Sequence, residues 1–110
     1  MSPPAPYETA DPSRAEIDAL GGPCLLEFGT PWCGFCRAAQ PAIAIAIAAH
    51  PGVRHLRFED GSNRQLGRSF GVKLWPTLVF LRDGEELARL VRPREPAPIA
   101  EALRKIDATA

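Results

Sequence analysis

The pattern of apolar positions divides the chain into eight short elements. Ala15, Ile17, Ala19 and Leu20 carry a first helix, introduced by Asp11 as N-cap with Pro12 behind it and stopped at Gly21-Gly22. Cys24-Leu25-Leu26-Glu27-Phe28 is an apolar run with one acidic intruder and reads as a buried strand. From Cys33 to His50 no glycine follows Gly34 and the stretch is ended by Pro51-Gly52, so a long helix is expected, kinked at Pro41. Within it Ala42–Ala49 alternates Ala with Ile, a strand-like period, but alanine's helix propensity decides for helix. Ile43 and Ile47 then share a face with Ile45 opposite, as in a helix covered on both sides. Val53–Glu59 alternates as a strand, and Ser62–Phe70 reads as a short helix. Thr77–Leu81 and Glu86–Val91 flank Arg82-Asp83-Gly84-Glu85, a hairpin signal. Ile99, Leu103 and Ile106 form the apolar stripe of a closing helix.

Strands alternating with helices before a terminal hairpin predict an α/β fold: a central mixed sheet of four to five strands flanked by helices on both faces. In 110 residues only one such domain fits. Residues 1–10 hold three prolines and read as a flexible N-terminal arm, with at most a short edge strand around Tyr7, and the folded domain spans 11–110. In this architecture chemistry gathers where strands end and the following helices begin, the place occupied by Trp32–Cys36.

Charge narrows the function classes. Thirteen basic residues balance thirteen acidic ones, so no field draws the chain to nucleic acid or to an anionic membrane surface. The longest apolar stretch, Ala42–Ala49, falls well short of the ~20 residues that span a bilayer, and no basic and apolar leader opens the sequence. A cytoplasmic protein is the expectation. Three cysteines, an odd number, do not make a disulfide scaffold, so a closely spaced pair is expected to be reactive.

Cys33-Gly34-Phe35-Cys36 is that pair. At a helix start the free N–H groups and the positive end of the dipole favour a thiolate, which makes Cys33 the expected nucleophile. Cys36, one turn further in, is placed to close a disulfide as the resolving thiol. A zinc site is suggested on paper by Cys33, Cys36, His50 and His55. It fails on distance, since Cys36 and His50 would lie about 21 Å apart along one helix at ~1.5 Å per residue. No metal is expected. His50 reads as a solvated helix-end residue, His55 as a half-exposed strand residue, and Cys24 as a buried inert thiol.

LLEFGTPWCGFC over Leu25–Cys36, with Pro41 after it and Phe70-Gly71-Val72 leading to Trp75-Pro76-Thr77, resembles the thioredoxin superfamily. The likeness covers roughly residues 23 to 107. It implies a thiol–disulfide oxidoreductase that needs no cofactor and reduces protein disulfides through Cys33 and Cys36 as a monomer, recharged by a cellular disulfide reductase. By the same resemblance Pro76 is a cis-proline whose neighbouring backbone pairs with an extended substrate. Trp32, Phe35 and Trp75, large aromatics near the motif ends, could be simple packing, but with Gly34 they are read as a partly exposed apolar patch that docks extended polypeptide. Glu27 matches a buried acid, expected with a raised pKa, that takes the proton of Cys36. Arg57 stands where a lysine often lies near that acid, and pairing with it would lower the carboxyl and blunt the transfer. The first strand of the family is short or missing, since only Tyr7–Thr9 could supply it. Phe35 replaces the usual proline or histidine, so the potential is expected anywhere in roughly −270 to −120 mV. Leu74-Trp75 before Pro76, and Arg92 where a glycine often lines the groove, imply altered partner choice. A different reading of the same residues is a binding or chaperone-like module whose redox chemistry is incidental.

Overall fold

A computed structural model describes residues 6–107. The elements run α1 (Arg14–Asp18), β1 (Pro23–Gly29), α2 (Gly34–Ala48), β2 (Arg54–Glu59), α3 (Gln65–Ser69), β3 (Thr77–Arg82), β4 (Glu85–Val91) and α4 (Pro96–Ile106). The sheet order is β2-β1-β3-β4, with β1 parallel to β2 and the other neighbours antiparallel. This is the mixed sheet expected from the sequence. Its two faces carry separate cores: Leu25, Leu78 and Phe80 pack under α2 and α4, and Leu26, Phe28, Val79 and Leu81 under Ile17, Leu66 and Phe70. Strand alternation divides them, because successive side chains of β1 point to opposite faces.

The hairpin forms as expected, with Asp83 (φ 51°) and Gly84 (φ 82°) both in the left-handed region that a two-residue turn requires. Ile99, Leu103 and Ile106 are fully buried, so the stripe of α4 faces the sheet. Glu8 makes one parallel bridge to Phe58, its N–H donating to the Arg57 carbonyl, and this is all that stands at the place of a further strand among the described residues. Residues 1–5 of the expected arm lie outside the described residues.

Three local expectations are corrected. Asp11 does not cap α1, where Ser13 accepts the Glu16 N–H at 3.1 Å. Asp11 instead caps α3 from across the fold, accepting the Gln65 and Leu66 N–H groups at 2.9 and 3.3 Å. Proximity in sequence to α1 hid a partner more than fifty residues away. Second, α2 is covered on one side only: Ile43 is buried, whereas Ile45 is 63% exposed. Its Ala-Ile alternation, wound at 3.6 residues per turn, spreads the isoleucines around the helix: Ala39, Ala42, Ile43 and Ala46 are buried in the core and Ile47, half-buried, packs against it on the face shared with Ile43. Third, His50 is buried, its Nδ1 lying 2.6 Å from an Asp107 carboxylate oxygen, so the end of α2 is tied to the end of α4 instead of being solvated.

Candidate active site

β1 ends at Gly29, Thr30 and Pro31 turn the chain, and Cys33 becomes the N-cap of α2. Cys33 has extended backbone angles, and its Sγ accepts the Cys36 N–H at 3.2 Å. The sulfur therefore fills the role that a Ser or Asp oxygen plays at other helix starts, facing the free N–H groups of the first turn. Both sulfurs are reduced, and Cys33 is 8% exposed against 1% for Cys36. The nucleophile expected from the sequence is thus the more accessible of the two.

Cys36 is held as a thiol. Burial and the hydrogen bond shared with Cys33 push it up to about 11, against the backbone N–H of Thr30 and the hydroxyl of Tyr7, which pull it down. Gly29 makes this crowding possible. A Cβ there would stand 2.5 Å from Cys36 Sγ and 3.1 Å from the Tyr7 hydroxyl, so only glycine lets both converge on that spot. Tyr7 stacks on the Arg57 guanidinium, whose central carbon is 4.1 Å from the ring centroid. Burial also raises the phenol. A cleft of about 400 Å³ opens beside these groups, lined by Tyr7, Thr30, Cys36, Gln40, Arg57 and Glu59 among others.

Glu27 lies in β1, fully buried and in register with Arg57 of β2. His55 shares that face one pleat away. His55 Nε2 is 2.9 Å from Glu27 Oε1, Arg57 Nε 3.2 Å from the same oxygen, and Gln40 Nε2 donates to Oε2 at 2.8 Å. Burial alone would raise this carboxyl, but the His55 hydrogen bond, the Arg57 charge and Gln40 together outweigh it and bring it below its ordinary value. The raised pKa expected for Glu27 is therefore overturned, and the pairing with Arg57 is present. Gln40 also donates to the Cys36 carbonyl at 2.9 Å, so one amide joins the carboxylate to the cysteine turn of α2.

The face around Cys33 is apolar and open. Trp32 is 70% exposed and meets Trp75 edge to face, centroids 5.6 Å apart. Trp75 is oriented by its indole N–H, which donates to Asp60 at 2.9 Å, and Asp60 can approach because α3 offers Gly67 beneath its carboxylate. The Trp75–Pro76 peptide is cis, as the resemblance implied, and Pro76 is buried. Phe35 and Leu74 are about half exposed, and Gly34 opens onto free space at the start of α2. Arg92 joins this face, its Nε donating to the Trp75 carbonyl at 2.8 Å and its guanidinium lying 3.8 Å from the Phe35 centroid.

The structure thus brings Cys33, Cys36, Trp32, Phe35, Trp75 and Pro76 to one end of the sheet, with Glu27 beneath α2. Sequence reasoning missed Tyr7, His55 and Gln40. For His55 a signal existed: it lies two residues before Arg57, hence on the same strand face. Cys24 is buried, and burial pushes its thiol up to about 11, in keeping with an inert role. Among the described residues no group of three or more His, Cys, Asp or Glu side chains could hold a metal ion.

The thioredoxin family model matches residues 8–105. Thioredoxin 2 from Pseudomonas aeruginosa PAO1, solved in its reduced form, superposes with a TM-score of 0.84 at 53% identity, covering 94% of this chain and 96% of that one. Protein disulfide-isomerase A2 from Pongo abelii is 41% identical over 87 residues, which make up 74% of this chain but 17% of that much longer protein. Thioredoxin Asp f 28 from Aspergillus fumigatus is 26% identical over 79% of this chain and 81% of its own length.

Proposed function

The chain belongs to the thioredoxin family, and on that premise we propose that it is a thiol–disulfide oxidoreductase that reduces protein disulfides through Cys33 and Cys36. The observation that carries the reading is the Cys33 sulfur at the N-cap of a 15-residue helix, accepting the N–H of its partner cysteine. Helix N–H groups and dipole stabilise negative charge there, which is what an attacking sulfur needs.

In the proposed cycle the Cys33 thiolate attacks one sulfur of a substrate disulfide, forming a mixed disulfide and expelling the other sulfur as a thiolate. Cys36 then loses its proton and attacks Cys33 Sγ. The Cys33–Cys36 disulfide forms, the second substrate sulfur leaves, and two electrons have passed from the pair to the substrate. With its carboxyl held low, Glu27 is a weak proton acceptor. In this reading it is a positioning residue that fixes Gln40 and, through it, the Cys36 turn, while the proton leaves by the cleft beside Tyr7. The apolar face of Trp32, Phe35, Trp75 and Pro76 receives the extended substrate segment, whose backbone pairs beside Pro76. A disulfide reductase of the cell restores the dithiol, and the odd cysteine count suits a cytoplasmic setting.

Catalysed reduction of insulin disulfides, with dithiothreitol as donor, tests the reading. The wild type accelerates it and Cys33→Ser abolishes the acceleration. The wide apolar face, with Trp32 70% exposed, favours the second reading of a binding module. If the wild type gives no acceleration, or Cys33→Ser matches it, the binding module is the better account.

A further inference from the structure

Arg92 follows β4 in a left-handed conformation, φ 54°, which is unfavourable for a residue with a side chain. The backbone is held there by its own N–H, which donates to the Pro76 carbonyl at 2.9 Å. From that position the side chain turns back across the docking face, reaches the Trp75 carbonyl with Nε, and lies over Phe35. A permanent cation thus stands between the cysteine motif and the cis-proline loop. The nearby Asp60 carboxylate is already engaged by the Trp75 indole. Among the described residues the two terminal amines of Arg92 make no hydrogen bond or ion pair, so a planar pair of donors is left on a surface otherwise built of aromatic rings.

We propose that Arg92 is a specificity-determining residue that recognises a carboxylate beside the substrate cysteine, so that the preferred substrates are polypeptide disulfides flanked by Asp or Glu. The proposal rests on the oxidoreductase reading above. A guanidinium stays charged at all working pH and presents paired donors that match a carboxylate, and Phe35 beneath it limits the orientations to be frozen on binding. Nε fixed on the Trp75 carbonyl adds to that preorganisation. Because the carbonyl oxygen carries two lone pairs, the Arg92 contact leaves one of them for the substrate backbone.

Two disulfide peptides that differ only in Glu or Gln next to the reacting cysteine provide the test. For the wild type the Glu peptide is expected to show a kcat/KM about 5-fold higher at low salt, carried by KM and falling as salt is added. Arg92→Gln, which keeps the length but not the charge, brings the ratio to one. Arg92→Gly, which suits the left-handed backbone, guards against a folding artefact and should show the same equal ratio. A role confined to clipping the loop would change both peptides alike and leave the ratio untouched. Equal rates in the wild type, or a preference that survives in Arg92→Gln, overturns the proposal while reduction of the Gln peptide keeps the oxidoreductase reading intact. Reduction of neither peptide by the wild type overturns both.

Discussion

Cys36 is the residue at which the local physics pulls hardest in two directions. Burial and Cys33 keep its proton on, while the Thr30 N–H and the Tyr7 hydroxyl favour its release. Once Cys33 is tied up in a mixed disulfide its contribution disappears, and the two donors are left to oppose burial. Tyr7→Phe removes, at almost constant shape, a hydroxyl that stands beside the Cys36 sulfur with no hydrogen-bond partner among the described residues and is therefore free to donate to the thiolate. Cys36 then moves further up, and its thiolate becomes scarcer at neutral pH. The mixed disulfide is expected to live about 10-fold longer at pH 7, the value of one hydrogen bond to a charged group, and the defect should shrink as pH rises toward the thiol's own range. Quenched-flow measurement of its decay against pH checks this; a pH profile identical to wild type would refute it. The cysteine pair and Pro76 were legible in the sequence because their chemistry is written in contiguous residues. Tyr7 was not, because its place over Gly29 arises only when an N-terminal segment pairs in parallel with the edge of β2.

At the scale of elements, α2 shows how a readable pattern leads to a half-right picture. Length and alanine content identify the helix, but its alternating isoleucines do not say which face meets the core. Packing against α4 and the sheet makes that choice. Ile43→Ala should therefore cost about 2–5 kcal/mol, whereas Ile45→Ala on the open side should stay within ~0.5 kcal/mol. Urea unfolding of the two variants separates them, and equal losses would mean that both faces are covered. The same limit applies to α3, whose N-terminal N–H groups are capped by Asp11 from more than fifty residues away. Cap preferences are local rules, and they identified Asp11 as a cap but assigned it to the wrong helix.

Across the whole molecule, polar groups buried on the α2 side tie the layers together. Glu27 gathers His55, Arg57 and Gln40 from β2 and α2, and His50 meets Asp107 at the opposite end. Alternation along β2 makes His55 and Arg57 neighbours on one face and the resemblance set Arg57 near Glu27, but that His55 shares the same acid emerges only with the β1–β2 register. Because the Glu27 carboxyl is held below its ordinary value of 4.5, it stabilises the fold above that pH and loses the contribution as pH falls through its lower folded value. Glu27→Gln should cost about 3–5 kcal/mol at pH 7, since one partner of a buried ion pair is removed. Its stability should then decline less than that of the wild type between pH 4.5 and pH 3. Urea midpoints at the three pH values decide the matter, and parallel acid profiles would show that Glu27 is not held as a carboxylate.

The division of labour between the two sulfurs is tested most directly by trapping. A protein disulfide substrate is mixed with Cys36→Ser and with Cys33→Ser, and the products are separated under denaturing, non-reducing conditions for mass spectrometry. Cys36→Ser is expected to accumulate a covalent complex linked through Cys33, and Cys33→Ser none. A complex linked through Cys36, or no complex from either variant while the wild type still reduces the substrate, would contradict the account.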